Sequence, residues 1–439
     1  MARDLTEGSI VKTILVTSLP MVVAFLLQSA FNLVDAYFVG QLSADALAAV
    51  SVGFPVVFMM IALASGIGVG TTSLIARKVG EKDIKGAGEA AEHALLIALI
   101  LVLFFTLVGL LSAGFLFDMM GIEAHVKELA LDYINIILLG SVAMFLAMTI
   151  NSIIRGEGEM LFPMAAMGFA AILNMVLDPI FIFDLGLGVR GAALATVLSR
   201  VVGLCIMAGY ILQERTWVRL KFHRFIFNMG HVKSILSVGV PQSLSNFSMS
   251  VGMFLLTIIV AGFGTEAIAA YGIGFRLDSI ALLPGLGVMM AVVSLVGQNV
   301  GAGKYDRAEE MTIKAGVMAI AFMSVIGLFF FLFSEQIVSV FNSDPLVVAY
   351  GSSMLRILPL SYLLMGLGMA VSGAFMGSGH AMPALVISVL RVIFLSVPLA
   401  YVFSRSMGVE GIWLGIMISS IIASIIGIVW FRRGTWKNR

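Results

Sequence analysis

Hydrophobic positions in this chain come in long blocks rather than in the alternating pattern of a half-buried strand or the stripe of a surface helix. Runs with little or no charge recur near residues 13–40, 47–76, 94–117, 129–154, 161–183, 191–213, 234–262, 267–297, 315–334, 345–375, 381–404 and 411–431. Each is long enough to cross about 30 Å of hydrocarbon as a helix. Lipid offers no partner to a free backbone N–H or C=O, so each run must bond within itself. The pattern predicts an all-α integral membrane protein with twelve transmembrane helices.

Composition agrees. Of 439 residues, 60% are hydrophobic and 12% charged, against about 25% charged in soluble domains. The charges sort by loop. Arg3, Lys12, Arg77, Lys78, Lys82, Lys85, Arg215, Arg219, Lys221, Arg224, Lys304, Arg307, Arg432, Arg433 and Lys437 fall at one set of ends, while the alternate loops offer only Lys127, Arg190 and Arg405. Positive loops stay inside, so both termini are expected in the cytoplasm and the chain in the plasma membrane. The first run is longer than the roughly 7–15 residues of a signal core, and is expected to be retained.

The blocks also repeat. "LSADALAAVSVGF" at 42–54 matches "FGTEAIAAYGIGF" at 263–275, "RGEGEMLFP" at 155–163 matches "MGSGHAMP" at 376–383, and "GVRG" at 188–191 matches "GVEG" at 408–411. Gly66 pairs with Gly287 and Gly80 with Gly301. The sequence therefore divides into an N-lobe at 1–214, a cytoplasmic linker at 215–232 and a C-lobe at 233–439, two homologous six-helix bundles. An even number of helices per half gives the copies one orientation, as in parallel-repeat transporters, with a binding cavity expected between them near the midplane.

Over nearly its whole length the chain resembles the MATE (multidrug and toxic compound extrusion) transporters. The residues that carry the likeness are "SLP" with Pro20, "NLVD" with Asp35, "GIGVGTTSLIARKVG", "IRGEG", "LNMVLDP" with Asp178, "GVRGAALATVLS" and "LVGQNVGAG". The likeness is to the archaeal and bacterial type with an acidic site in its first half. It implies export of amphipathic organic compounds by alternating access, driven by Na⁺ or H⁺, with no cofactor. A lipid-linked precursor flippase of similar architecture is the alternative.

Counting depth at about 1.5 Å per residue puts Asp35 of the first helix, Asp178 of the fifth and Thr196 of the sixth at similar heights in the outer half of the bilayer. Asn174 lies one turn below Asp178 on the same face. Carboxylate, amide and hydroxyl oxygens are hard ligands suited to Na⁺, and two close carboxylates can share a proton. The resemblance assigns the coupling cation to the same four residues. Pairing of an Asp with Arg200 is the competing, purely structural reading. Gln28 and Asn32 share Asp35's face at helical spacing, and with Asn151, Ser199 and Arg200 they are the candidates for the cargo cavity. Pro20 removes one backbone bond from the first helix and is the expected hinge.

The second half does not repeat the acids: Asp35, Asp178 and Thr196 correspond to Leu256, Val397 and Ile416. Instead Arg276, Asp278, Arg356 and Arg391 are expected to be buried there, as an ion-pair network or as groups that favour zwitterionic or anionic cargo. Other chemistry is not suggested. Cys205 is the sole cysteine and the five histidines are scattered, which argues against an enzyme or a metal cluster. "SGIGVGTTS" lacks the Gly-Lys-Ser/Thr of a phosphate loop and is read as close helix packing. No basic domain with interleaved aromatics suggests nucleic acid. The expected partners are small amphipathic molecules and the bilayer, with the chain a monomer.

Overall fold

A computed structural model describes residues 4–213, 215–221, 223 and 225–437. Arg3 and Arg224, used above for orientation, lie outside the described residues. Among those described there are helices and turns but no strand, and twelve helical spans are long and apolar enough to cross a membrane. In the first half these are α1 (Ile10–Leu42), α2 (Ala44–Gly80), α3 (Ile84–Met119), α4 (Ala124–Gly156), α5 (Leu161–Pro179), which runs on as a π-helical turn (Ile180–Asp184), and α6 (Gly188–Leu212). In the second half they are α7 (Met229–Ala261), α8 (Thr265–Gly301) and α9 (Tyr305–Leu332). The short α10 (Ser334–Phe341) follows. The tenth span is α11 (Pro345–Ile357) and α12 (Tyr362–Gly377), joined by a 3₁₀ turn (Leu358–Ser361). The eleventh is α13 (Met382–Val389), a π-helical turn (Leu390–Ser396) and α14 (Val397–Met407), and α15 (Val409–Arg432) completes the set. Side chains such as Leu103, Phe104, Leu107 and Leu111 on α3 stay exposed, as a lipid-facing surface requires.

The duplication is visible in the backbone. The three-residue turn between α2 and α3 places Lys82 at φ +60°, and its counterpart between α8 and α9 places Gly303 at φ +72°. Gly158 at φ +84° is matched by Gly379 at +88°, and Gly188 at +54° by Gly408 at +63°. Lys82 therefore holds a left-handed conformation that suits glycine better.

The chain forms two compact units, Val23–Gly239 and Leu5–Val22 with Val240–Arg439. Helices α1 and α7 are thus each shared: the first part of α1 belongs to the unit of the second repeat, and the first part of α7 to that of the first. The glycine runs explain the packing. On α2, a Cβ at Gly70 would lie 2.2 Å from the Ile235 carbonyl oxygen of α7, and one at Gly239 would lie 2.9 Å from that of Gly66. On α8, a Cβ at Gly287 would lie 2.8 Å from the Val22 backbone nitrogen of α1. "GIGVGTTS" is a seat for a neighbouring helix, as its sequence suggests.

Each exchanged helix is preceded by a strap. Ahead of α1, the Leu5 N–H donates to Gln298 Oε1 at 3.0 Å and Asn299 Nδ2 donates to Leu5 O at 3.2 Å. Lys304 Nζ reaches Thr6 O at 3.0 Å, and Arg307 donates to Glu7 O and Gly8 O at 2.9 Å. Ahead of α7, Glu157 accepts from the N–H groups of Trp217 and Val218, and Glu92 from that of Lys221. The Asn228 N–H donates to His93 Nε2 at 2.8 Å, which leaves the ring proton on Nδ1, bonded to Glu89 O at 2.7 Å. Glu157 is fully buried. Burial pushes its carboxyl up to about 7, against the opposing pull of the Val218 and Trp217 N–H groups.

Two outcomes are expected. Gly70→Val puts atoms where the α7 backbone already lies, at a cost of about 1–3 kcal/mol. It should lower the thermal midpoint of the detergent-solubilised protein, while Gly114→Ala, with open space around it, should not. Glu157 holds in the folded state a proton that the unfolded chain releases at lower pH, so its contribution is lost as pH rises through about 7. The midpoint of the wild type should therefore fall more than that of Glu157→Gln between about pH 5 and about pH 7, as read by static light scattering or intrinsic fluorescence.

Candidate ion-coupling site

The C-terminal end of α5 builds the site. Asn174 and Asp178, one turn apart, are 1% and 0% exposed. Pro179 follows directly, and the helix leaves its regular pattern for the π-helical turn Ile180–Asp184. Such turns re-aim side chains and recur at functional sites. Gly191 of α6 lets that helix approach this turn, since a Cβ there would lie 2.5 Å from Phe181 O. The approach brings Thr196, 4% exposed, to Asn174, whose Nδ2 donates to the Thr196 hydroxyl at 3.4 Å.

What remains is a set of acceptors without donors. Asp178 Oδ1 and Oδ2, Asn174 Oδ1 and Asp35 Oδ1 are buried and hydrogen-bonded to nothing among the described residues. Buried polar oxygens are nearly always satisfied. Asp35 is half-buried on α1, close enough for its charge to act on Asp178 and on Tyr133 of α4. Arg200 of α6 is coupled electrostatically to Asp35 and Tyr133, but forms no ion pair among the described residues. Its Nη1 lies 3.2 Å from Met144 Sδ. Asp35 and Arg200 thus feel each other's charge without a direct ion pair between them. Two acids, an amide oxygen and a hydroxyl suit a small hard cation or a proton. No cluster of three or more His, Cys, Asp or Glu that would fit a transition metal occurs among the described residues.

The other sequence candidates lie as follows. Gln28 is half-buried and Asn32 exposed on α1, with Gln28 Nε2 donating to Asn32 Oδ1 at 3.2 Å. Asn151 and Ser199 are 5% and 3% exposed and already engaged, Asn151 Nδ2 with Met167 Sδ at 3.0 Å and Ser199 Oγ with Thr196 O at 2.9 Å. Pro20 is buried within an unbroken α1. In the second unit the expectation of four buried charges needs correction. Arg276 is exposed. Arg356 is exposed too, and pairs with Glu335 of α10 at 2.8 Å, because α11 ends one residue later and α10 packs back against it. Asp278 and Arg391 are half-buried, and Asp278 Oδ1 accepts from the Tyr362 hydroxyl at 2.5 Å. Tyr133 and Tyr362 were not anticipated. A phenol well inside an otherwise apolar span was the available signal.

Comparisons with known proteins place the chain in a family. The MatE family model matches residues 20–180 and again 241–402, a displacement of 221 residues at the start. Thermotoga maritima's probable multidrug resistance protein NorM is 27% identical, over 98% of this chain and 93% of its own. The FAD transporter of Shewanella oneidensis is 28% identical, over 96% and 94%. The solved outward-facing structure of a multidrug resistance MATE family transporter superposes with a TM-score of 0.94 at 35% identity, covering 98% of this chain and 97% of that one. Matched in both halves by one family model, and nearly end to end by these relatives, the chain belongs to the MatE family of twelve-helix membrane transporters and is not an enzyme.

Proposed function

We propose that the protein is a cation-coupled antiporter of the plasma membrane, with both termini cytoplasmic, that exports amphipathic organic compounds by alternating access. The observation that carries this reading is the group of buried, unbonded oxygens on Asp35, Asp178 and Asn174. A Na⁺ ion held by these and Thr196, or a proton shared by the two carboxylates, removes the cost of leaving them charged in a medium of low dielectric. The bound and empty states then differ in charge on α1 and α5. Pro20, in the part of α1 that belongs to the second unit, is the hinge at which the helix answers that change. The multidrug-resistance relative supports drug-like cargo. The 1–214 and 233–439 lobes move as the two arms of the cycle, no cofactor takes part, and one chain suffices.

Proteoliposomes carrying a fluorescent amphipathic zwitterion, given a Na⁺ or a pH gradient in turn, test the coupling. Asp35→Asn and Asp178→Asn should each reduce export to the level of protein-free vesicles, while the gradient that drives the wild type names the ion. Thr196→Val removes one hydroxyl ligand worth about 1 kcal/mol, and should raise the ion concentration for half-maximal export roughly fivefold. Pro20→Ala should slow turnover with little change in that concentration. Undiminished gradient-driven export in the double Asp variant would end the proposal.

A further inference from the structure

The second unit holds a guanidinium in the wrong place for a purely structural group. Arg391 lies within the eleventh span, half-buried, and makes no hydrogen bond or ion pair among the described residues. The guanidinium keeps its charge and offers five N–H donors. Charged groups at such depth are normally paired. The nearest acid to offer itself is Asp278 of α8, and the two do feel each other's charge. Yet the close contact of Asp278 Oδ1 is with the Tyr362 hydroxyl of α12, at 2.5 Å. A short O–H···O⁻ bond of this kind is strong, and it draws the carboxylate's electron density toward the phenol.

The backbone beneath Arg391 is also special. Arg391 is the second residue of the π-helical turn Leu390–Ser396. The turn is held from one side by α7, where a Cβ at Gly252 would lie 1.8 Å from Val392 Cγ1. One turn away on the same face of α7, Ser248 is 4% exposed and its hydroxyl has no partner among the described residues. The fifth helix of each repeat thus carries a π-helical turn beside its distinctive charge, with Asp178 in the first unit and Arg391 in the second.

We propose that Arg391, with the Asp278–Tyr362 pair beside it, is a docking point for an anionic group of the cargo, a carboxylate or phosphate. The idea rests on the transport reading above but not on its coupling ion. Tyr362 keeps Asp278 from closing on the guanidinium, and the fork is left free to bind two anionic oxygens side by side. The preferred cargo is then an amphipathic anion or zwitterion rather than a simple organic cation.

The test uses the full-length protein in nanodiscs and two fluorescent probes that share a ring system, 2-naphthoate and 2-naphthylmethylammonium. The wild type should bind the naphthoate more tightly than the amine. Arg391→Gln should lower the naphthoate-to-amine affinity ratio at least about tenfold, a change of roughly 1.4 kcal/mol, and Arg391→Lys should restore it only in part. Tyr362→Phe frees Asp278 to pair with Arg391, and should lower the ratio too. Asp278→Asn removes the competing anion and should raise it. That last variant separates the site from a structural ion pair and stays informative if Arg391→Gln does not fold. No preference for naphthoate in the wild type, an unchanged ratio in Arg391→Gln, or a lowered one in Asp278→Asn overturns the proposal. Loss of gradient coupling in Asp35→Asn is read in a separate export assay, so failure of the ion reading and failure of this one are distinguishable.

Discussion

A carboxylate inside a bilayer must be answered by something, and in the first unit the protein supplies no answer of its own. Asp178 and Asn174 are buried with acceptor oxygens that meet no donor, and Asp35 turns one oxygen into the same condition. Two carboxylates against the single guanidinium of Arg200 leave one net negative charge among these groups. In the proposed reading, one Na⁺ or one proton balances it.

The fold that presents this group was made by duplication, and the duplication is conserved where backbone geometry is demanding. Left-handed residues fall at matching turns, down to Lys82 opposite Gly303. What the two copies exchange is the first part of their first helix. Pro20 lies close to the boundary on α1 and Pro241 close to the boundary on α7. Each proline removes a hydrogen bond from its helix, so each shared helix is weakest near where it passes from one unit to the other. The straps fasten the leading ends of the two helices, on Gln298, Asn299, Lys304 and Arg307 in one unit and on Glu92, His93 and Glu157 in the other.

Much of this could be read from the chain. Hydrophobic length located the twelve spans, because lipid leaves a backbone no choice but to be helical, although α3 and α9 begin ten residues before the apolar runs at 94 and 315 that announced them. Counting depth along three separate helices put Asp35, Asp178 and Thr196 at similar heights, and the fold packs Asn174, one turn from Asp178, against Thr196. The same count misjudged Arg276 and Arg356. Height along a helix says nothing of the direction a residue faces, and the 3₁₀ turn after Ile357 breaks the tenth span that the count took as regular. The exchange of α1 and α7 left no mark in hydropathy, since an apolar helix is equally apolar against either unit. The glycines that seat those helices were legible as packing glycines, but not which helix each would receive.

The contrast between the repeats has an energetic meaning. An ion can drive cargo only through a difference in its affinity for two conformations. A ligand that binds both equally shifts nothing, however tightly it binds. If ion and cargo occupied identical sites in the two repeats, each would compete for both and the coupling would blur. Duplication followed by divergence avoids this: where the first copy keeps Asp35 and Asp178, the second has Leu256 and Val397, and its own charge is Arg391. In the proposed reading a cation is drawn to one unit and an anionic group to the other, so each occupant biases a different body. Sign, rather than shape, then keeps the two ligands apart within one repeated architecture.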